Sequence, residues 1–178
     1  MHVKTKKVAF LGLLLALAMI LVVLGSVLEI NTLFFLAAAS FCTGIAILET
    51  GLGLGTGFFI GGVFLSLLLS PNKLYCLTYG GMSFYLLMTA FIERGIKNWR
   101  NEKGKKVVLL LFKFILFNGM YFPIVLFFPQ LILPGHSLSG ILLAGVLVAG
   151  QIVWIIYDYA FSYFLKSHWD GIRKKVGL

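Results

Sequence analysis

The stretch from Glu49 to Lys73, E-T-G-L-G-L-G-T-G-F-F-I-G-G-V-F-L-S-L-L-L-S-P-N-K, leaves this chain the fewest structural options. Gly53, Gly57 and Gly61 recur every four residues, so on a helix they line one face, with Gly51 and Gly55 in a second row beside it. In water such a run would be a poor helix, because each glycine weakens a helix by about 1 kcal/mol relative to alanine. In a bilayer the backbone has no water to bond, so a spanning segment has to be helical whatever its propensity. Glycines spaced by four then let neighbouring helices approach backbone to backbone. The stretch predicts a central membrane helix against which others pack, with Glu49 and Ser70-Pro71-Asn72-Lys73 marking its two water boundaries.

Composition points the same way. Of 178 residues, 60% are hydrophobic and 12% charged, against roughly 25% charged in a soluble domain. About 20 apolar residues span a bilayer once. The apolar segments here number six, at about 8–28, 33–48, 51–69, 74–92, 107–128 and 138–165. They predict an all-α integral membrane protein, a compact six-helix bundle forming a single domain over 1–178. The net charge of +9 would suit nucleic acid, but the cations lie in short loops beside apolar segments, which is the positive-inside pattern. Cys42 and Cys76 fall near opposite depths and read as packed thiols rather than a disulfide.

The opening M-H-V-K-T-K-K followed by Val8–Leu28 resembles a signal peptide at first sight. A signal h-region is shorter and ends at a small-residue cleavage site, so a retained first helix is expected. Ala9, Gly12 and Ala16 lie on one face of it, a strip suited to contact with another helix. With the amino terminus in the cytoplasm, the inner side receives three cations from the N-tail, six from Glu93–Lys106 and four from the C-tail. The outer loops receive only Lys73, and Lys113 lies within a segment. Both termini are therefore expected to be cytoplasmic, in a bacterial plasma membrane. In the tail, Trp169, Ile172 and Val176 share a helical face, as an interfacial segment would.

Enzyme signatures are missing from the sequence. His2, His136 and His168 stand at or beyond segment ends, no H-E-x-x-H motif occurs, and no glycine loop leads into Lys-Ser/Thr. No catalytic residue, metal or cofactor is expected. Two polar pairs match in depth instead. Lys113 and Asp158 each lie about 10 Å in from the cytoplasmic ends of their segments, at 1.5 Å per residue. Buried membrane charges commonly pair, so a structural Lys113–Asp158 bridge is expected, with snorkelling of Lys113 to the near surface as the alternative. Asn118 and Gln151 meet near the midplane, with Tyr121 and Trp154 one turn away on the same faces. They form either hydrogen-bonded glue between helices or the floor of a small-molecule pocket. Above them the outer loops offer Asn72, Lys73, Tyr75, Tyr79, Gln130 and His136, of which Asn72, Lys73, Tyr79 and His136 would form the mouth.

The opening K-K-V-A-F-L-G-L-L-L-A-L-A, the small residues Gly12 and Ala16, and the Glu49–Lys73 pattern, set within six segments in under 200 residues, resemble the substrate-binding S components of energy-coupling factor (ECF) vitamin transporters. In that family an Ala-x-x-x-Ala strip on the first helix docks on a transmembrane subunit driven by two cytoplasmic ATPases. The resemblance implies that Gly12-x-x-x-Ala16 docks similarly and that a small vitamin-like solute binds toward the outer side. Hydrophobic helices with glycine-rich segments also resemble the small rod-shape scaffold subunit of bacterial cell-wall machinery, which implies a structural protein without a ligand.

Overall fold

The computed structural model describes residues 2–28, 31–99, 101–127, 140–169 and 171. Among them are six α-helices and no strand: α1 (His2–Leu28), α2 (Thr32–Thr50), α3 (Leu52–Leu69), α4 (Lys73–Gly95), α5 (Glu102–Phe127) and α6 (Gly140–Phe164). A π-helical turn, Leu165–Trp169, continues from α6. All six helices are long and apolar enough to cross a membrane, which makes this an all-α, multi-pass integral membrane protein.

Two helices overrun the apolar segments that forecast them. α1 begins at His2 and α5 at Glu102, several residues before the hydrocarbon-like sequence starts. A helix does not end where the hydrocarbon does, because lysine stems carry their charges along its surface to water. At α5 the start is set by a cap: Asn101 Oδ1 accepts the Gly104 N–H at 3.1 Å. Glu102 adds a carboxylate to the first turn, where the helix dipole favours negative charge. Since α4 also runs on to Gly95, much of the Glu93–Lys106 stretch expected as loop is helical.

The chain divides into two compact units, Met1–Lys113 and Phe114–Leu178. In the first, α1, α2, α3 and α4 all touch one another, and α2 is the most enclosed, with more than half of it buried. Its side chains explain the position. Ala39, Ser40, Gly44 and Ala46 are small enough for three neighbours to close on it. This corrects the expectation that α3 would be central.

The packing row of α3 is corrected as well. A Cβ placed on Gly53, Gly57 or Gly61 would meet nothing within 4 Å, so the expected contact face is open. The buried stripe is Gly55, Phe58, Gly62 and Ser66. A Cβ on Gly55 would come within 2.6 Å of Ile47 Cγ1 and 2.8 Å of Ile47 Cα on α2. One on Gly62 would come within 2.6 Å of the Tyr79 hydroxyl on α4. Periodicity identifies glycine rows, but the bulky neighbours Ile47 and Tyr79 decide which row serves as the hole.

Polar contacts close both ends of this unit. At one end the Ser26 and Ser70 hydroxyls meet at 2.7 Å, tying α1 to the residue that caps α3. Each also reaches a backbone carbonyl, Val22 at 2.8 Å and Asn72 at 3.0 Å. At the other end Lys7 Nζ of α1 donates to the Glu49 carbonyl at 3.3 Å. The α2–α3 turn here depends on Gly51, whose φ of 92° lies in the left-handed region that side chains rarely adopt. The Arg94 guanidinium of α4 covers it, 3.6 Å from where a Cβ would stand. The start of α1 and the ends of α2 and α4 thus share one end, as alternating helix directions require.

The two glycine rows should respond oppositely to substitution. Gly55→Ala presses on Ile47 backbone, which cannot swing away, and should cost about 1–3 kcal/mol, the usual range for overpacking. Gly57→Ala meets nothing and should leave stability unchanged or raised by up to about 1 kcal/mol through helix propensity. Thermal melting of the two variants in one detergent checks this. Equal melting temperatures would contradict the assigned packing face.

Candidate functional site

The polar centre of the second unit is built on α5 and α6. Gln151 Nε2 donates to Asn118 Oδ1 at 2.8 Å, and Asn118 Nδ2 donates to the Phe114 carbonyl one turn earlier at 2.9 Å. The pair expected from matched depths is therefore a direct interhelical bond. One atom is left over. Gln151 Oε1 is buried and has no hydrogen-bond partner among the described residues. An amide oxygen stranded in an apolar setting costs about 1–3 kcal/mol by mutational measures, so this atom favours any donor that can reach it.

Aromatic rings flank the amides. Phe117 stacks on Tyr121, with centroids 5.1 Å apart and planes at 17°. Its ring also stacks on Trp154 at 5.6 Å, and Phe114 meets Trp154 edge-on at 5.8 Å. Tyr121 is fixed at its far end too, since its hydroxyl donates to the Val146 carbonyl at 2.7 Å. That contact requires a gap in α6. A Cβ on Gly150 would fall 2.2 Å from Tyr121 Cζ, so the missing side chain, one turn beyond Val146, is what exposes the carbonyl. Moving down α5 from residue 121 to 118 to 117 means moving up α6 from 146 to 151 to 154, the register of antiparallel neighbours.

Asn118, Tyr121, Gln151 and Trp154 are thus brought together. Others of the expected site are placed differently. Asn72 caps α4, its Oδ1 accepting the Leu74 N–H at 3.0 Å. Lys73 Nζ bonds to the Leu67 carbonyl and, at 3.2 Å, to the Ser70 carbonyl, so it caps the C-terminal end of α3. Tyr79, expected at an outer mouth, is completely buried. It fills the space over Gly62, and its hydroxyl lies 3.4 Å from Thr43 Oγ1, which in turn donates to Ser83 at 3.2 Å. The correction is physical: Tyr79 lies about 10 Å along the helix from Asn72 on the face of α4 turned to α2 and α3, so it points into the bundle rather than to its rim. His136 lies outside the described residues, as do Gln130, Ile172 and Val176. Lys113 ends the first unit and Asp158 belongs to the second, both half-buried. A bridge between them would join the units and stays an expectation.

On α1, Ala9, Gly12 and Ala16 are all exposed, and a Cβ on Gly12 would have open space around it. Among the described residues no three His, Cys, Asp or Glu side chains group closely enough to hold a metal ion. The reading from sequence missed Phe114, Phe117 and Gly150. Their signal was present: Phe114, Phe117 and Tyr121 follow helical spacing around Asn118, and Gly150 directly precedes Gln151. The chain matches no protein-family model, no curated protein and no solved structure. The site itself carries the functional reading.

The amide pair is asymmetric, and substitution should reveal it. Asn118→Leu leaves both ends of the half-buried Gln151 amide unbonded and should cost about 1–3 kcal/mol. Gln151→Leu strands Asn118 Oδ1 but also removes the already unbonded Oε1, so it should cost less. The double variant should be milder than the sum of the two, by about 0.6 kcal/mol and up to about 1.7, the range for polar bonds between membrane helices. Equilibrium unfolding of the four proteins measures the difference, and strict additivity would argue against the bond.

Proposed function

We propose that the protein is a non-enzymatic, solute-binding component of an ECF-type uptake transporter in the bacterial plasma membrane. It captures a small vitamin-like molecule from the outer side and docks on a transmembrane coupling subunit that cytoplasmic ATPase subunits drive. The observation that carries this reading is Gln151 Oε1, a buried acceptor without a described partner beside a stacked row of aromatic rings. Such a place suits a solute with an N–H or O–H donor and a flat apolar body. The exposed Ala9, Gly12 and Ala16 strip on α1 supplies a surface on which a partner helix could pack closely. The bland reading is a structural scaffold. It is favoured by the bond between Asn118 and Gln151, which needs no solute, and by the use of Asn72 and Lys73 as helix caps.

Solute binding separates the two. The purified protein, screened across vitamins by thermal melting, should be stabilised by one of them, by about 2.7 kcal/mol at a hundredfold excess over Kd. Gln151→Leu should lose that shift. Gly12→Leu with Ala16→Leu should keep it while reducing copurification with a coupling subunit. A screen in which no vitamin shifts the melt favours the scaffold.

Orientation is part of the proposal, with both termini in the cytoplasm. A thiol reagent applied from outside the cell should label Pro71→Cys and leave Asn98→Cys unmodified. Both positions are exposed, and native Cys42 and Cys76 are buried. The reverse labelling would overturn the orientation.

A further inference from the structure

The end of the first unit that carries Lys7 and Arg94 is rich in cations, but they are not equivalent. Lys7 is committed to the Glu49 carbonyl, and Arg94 lies over Gly51 at the α2–α3 turn. Lys97, Lys103 and Lys106 are exposed. No side-chain hydrogen bond or ion pair among the described residues engages any of the three. On the α4 side, residues 96–99 are held by backbone bonds. Ile96 is buried, its N–H donating to the Ile92 carbonyl at 3.0 Å, and the Trp99 N–H donates to the Ile96 carbonyl at 3.2 Å. On the α5 side, Asn101 caps the helix that carries Lys103 and Lys106. Trp99 between them is half exposed. The opposing charges are Glu93, which has a partner of its own, and exposed Glu102.

The geometry points to a binding surface for anionic phospholipid headgroups, with Lys97, Lys103 and Lys106 taking phosphate oxygens and the Trp99 ring seated at headgroup depth. Three observations support it. The segment joins two spanning helices, so it lies at the level of the headgroups. A half-exposed tryptophan is the side chain that favours that level. Lysines held on ordered backbone and lacking protein partners keep their charge available to an anionic surface, where clustered cations attract acidic lipid. A positive-inside signal alone requires only that cations be present during insertion. It does not require them to flank, in sequence, an exposed tryptophan between the end of α4 and the Asn101 cap of α5. The inference is independent of solute binding, since a scaffold protein with this segment would have the same surface.

The test is native mass spectrometry of the intact, detergent-purified protein offered equal amounts of phosphatidylglycerol and phosphatidylcholine. Wild type should retain the anionic lipid with a preference of about tenfold at low ionic strength, collapsing as salt shortens the screening length. The K97Q/K103Q/K106Q variant should retain both lipids equally, and K97R/K103R/K106R should keep the preference. Equal retention by wild type, a preference indifferent to salt, or a preference surviving in the glutamine variant would each overturn the proposal. The salt series needs no variant, so the proposal stays open to refutation even if the glutamine protein fails to assemble.

Discussion

Hydrocarbon offers no hydrogen bonds, and that deprivation shapes every helix contact in this protein. Between two spanning helices there is little hydrophobic gain, because lipid tails are as apolar as leucine. What remains is close packing and the pairing of polar groups. The first unit uses both. α2 is lined with alanine, serine and glycine so that three neighbours can approach it. Where a neighbour brings a bulky group, a glycine accommodates it, as Gly55 does for Ile47 and Gly62 for Tyr79. The hydroxyls of Thr43, Tyr79 and Ser83 then answer one another in the space so formed.

The second unit solves the same problem with longer side chains. Here Tyr121 reaches across to a carbonyl on α6, and the amides of Asn118 and Gln151 meet between the helices. Stacked rings fill the remaining width. Such a construction leaves polar valences that do not all cancel. An amide pair has two donor groups and two acceptors, and geometry has satisfied all but Gln151 Oε1. Small-residue packing conceals backbone, whereas side-chain bridging creates chemically distinct spots, which is why recognition is argued for α5 and α6.

Six helices were legible in the sequence because length and apolarity are what a bilayer selects, and the structure places a spanning helix on each predicted segment. Charge spacing could not show that α5 begins at Glu102, since that depends on a cap made by Asn101. The Asn118–Gln151 contact was readable because antiparallel neighbours of known direction match by depth. Depth along the helix does not give the facing of Tyr79: the same residue half a turn round α4 would look to lipid. The choice between adjacent glycine rows was equally hidden. It is decided by Ile47 and Tyr79, which lie on other helices and leave no trace in the spacing of α3 itself.

The polar contacts of the first unit also bear on permeation. Ser26 and Ser70 meet at one end, Thr43, Tyr79 and Ser83 bond in the interior, and Lys7 and Arg94 close over the α2–α3 turn at the other. A solute moving along the axis of these four helices would have to part hydroxyl contacts at one end and in the interior, and pass the cations at the other. The polar groups of the first unit are thus committed to one another, and its packing uses them up.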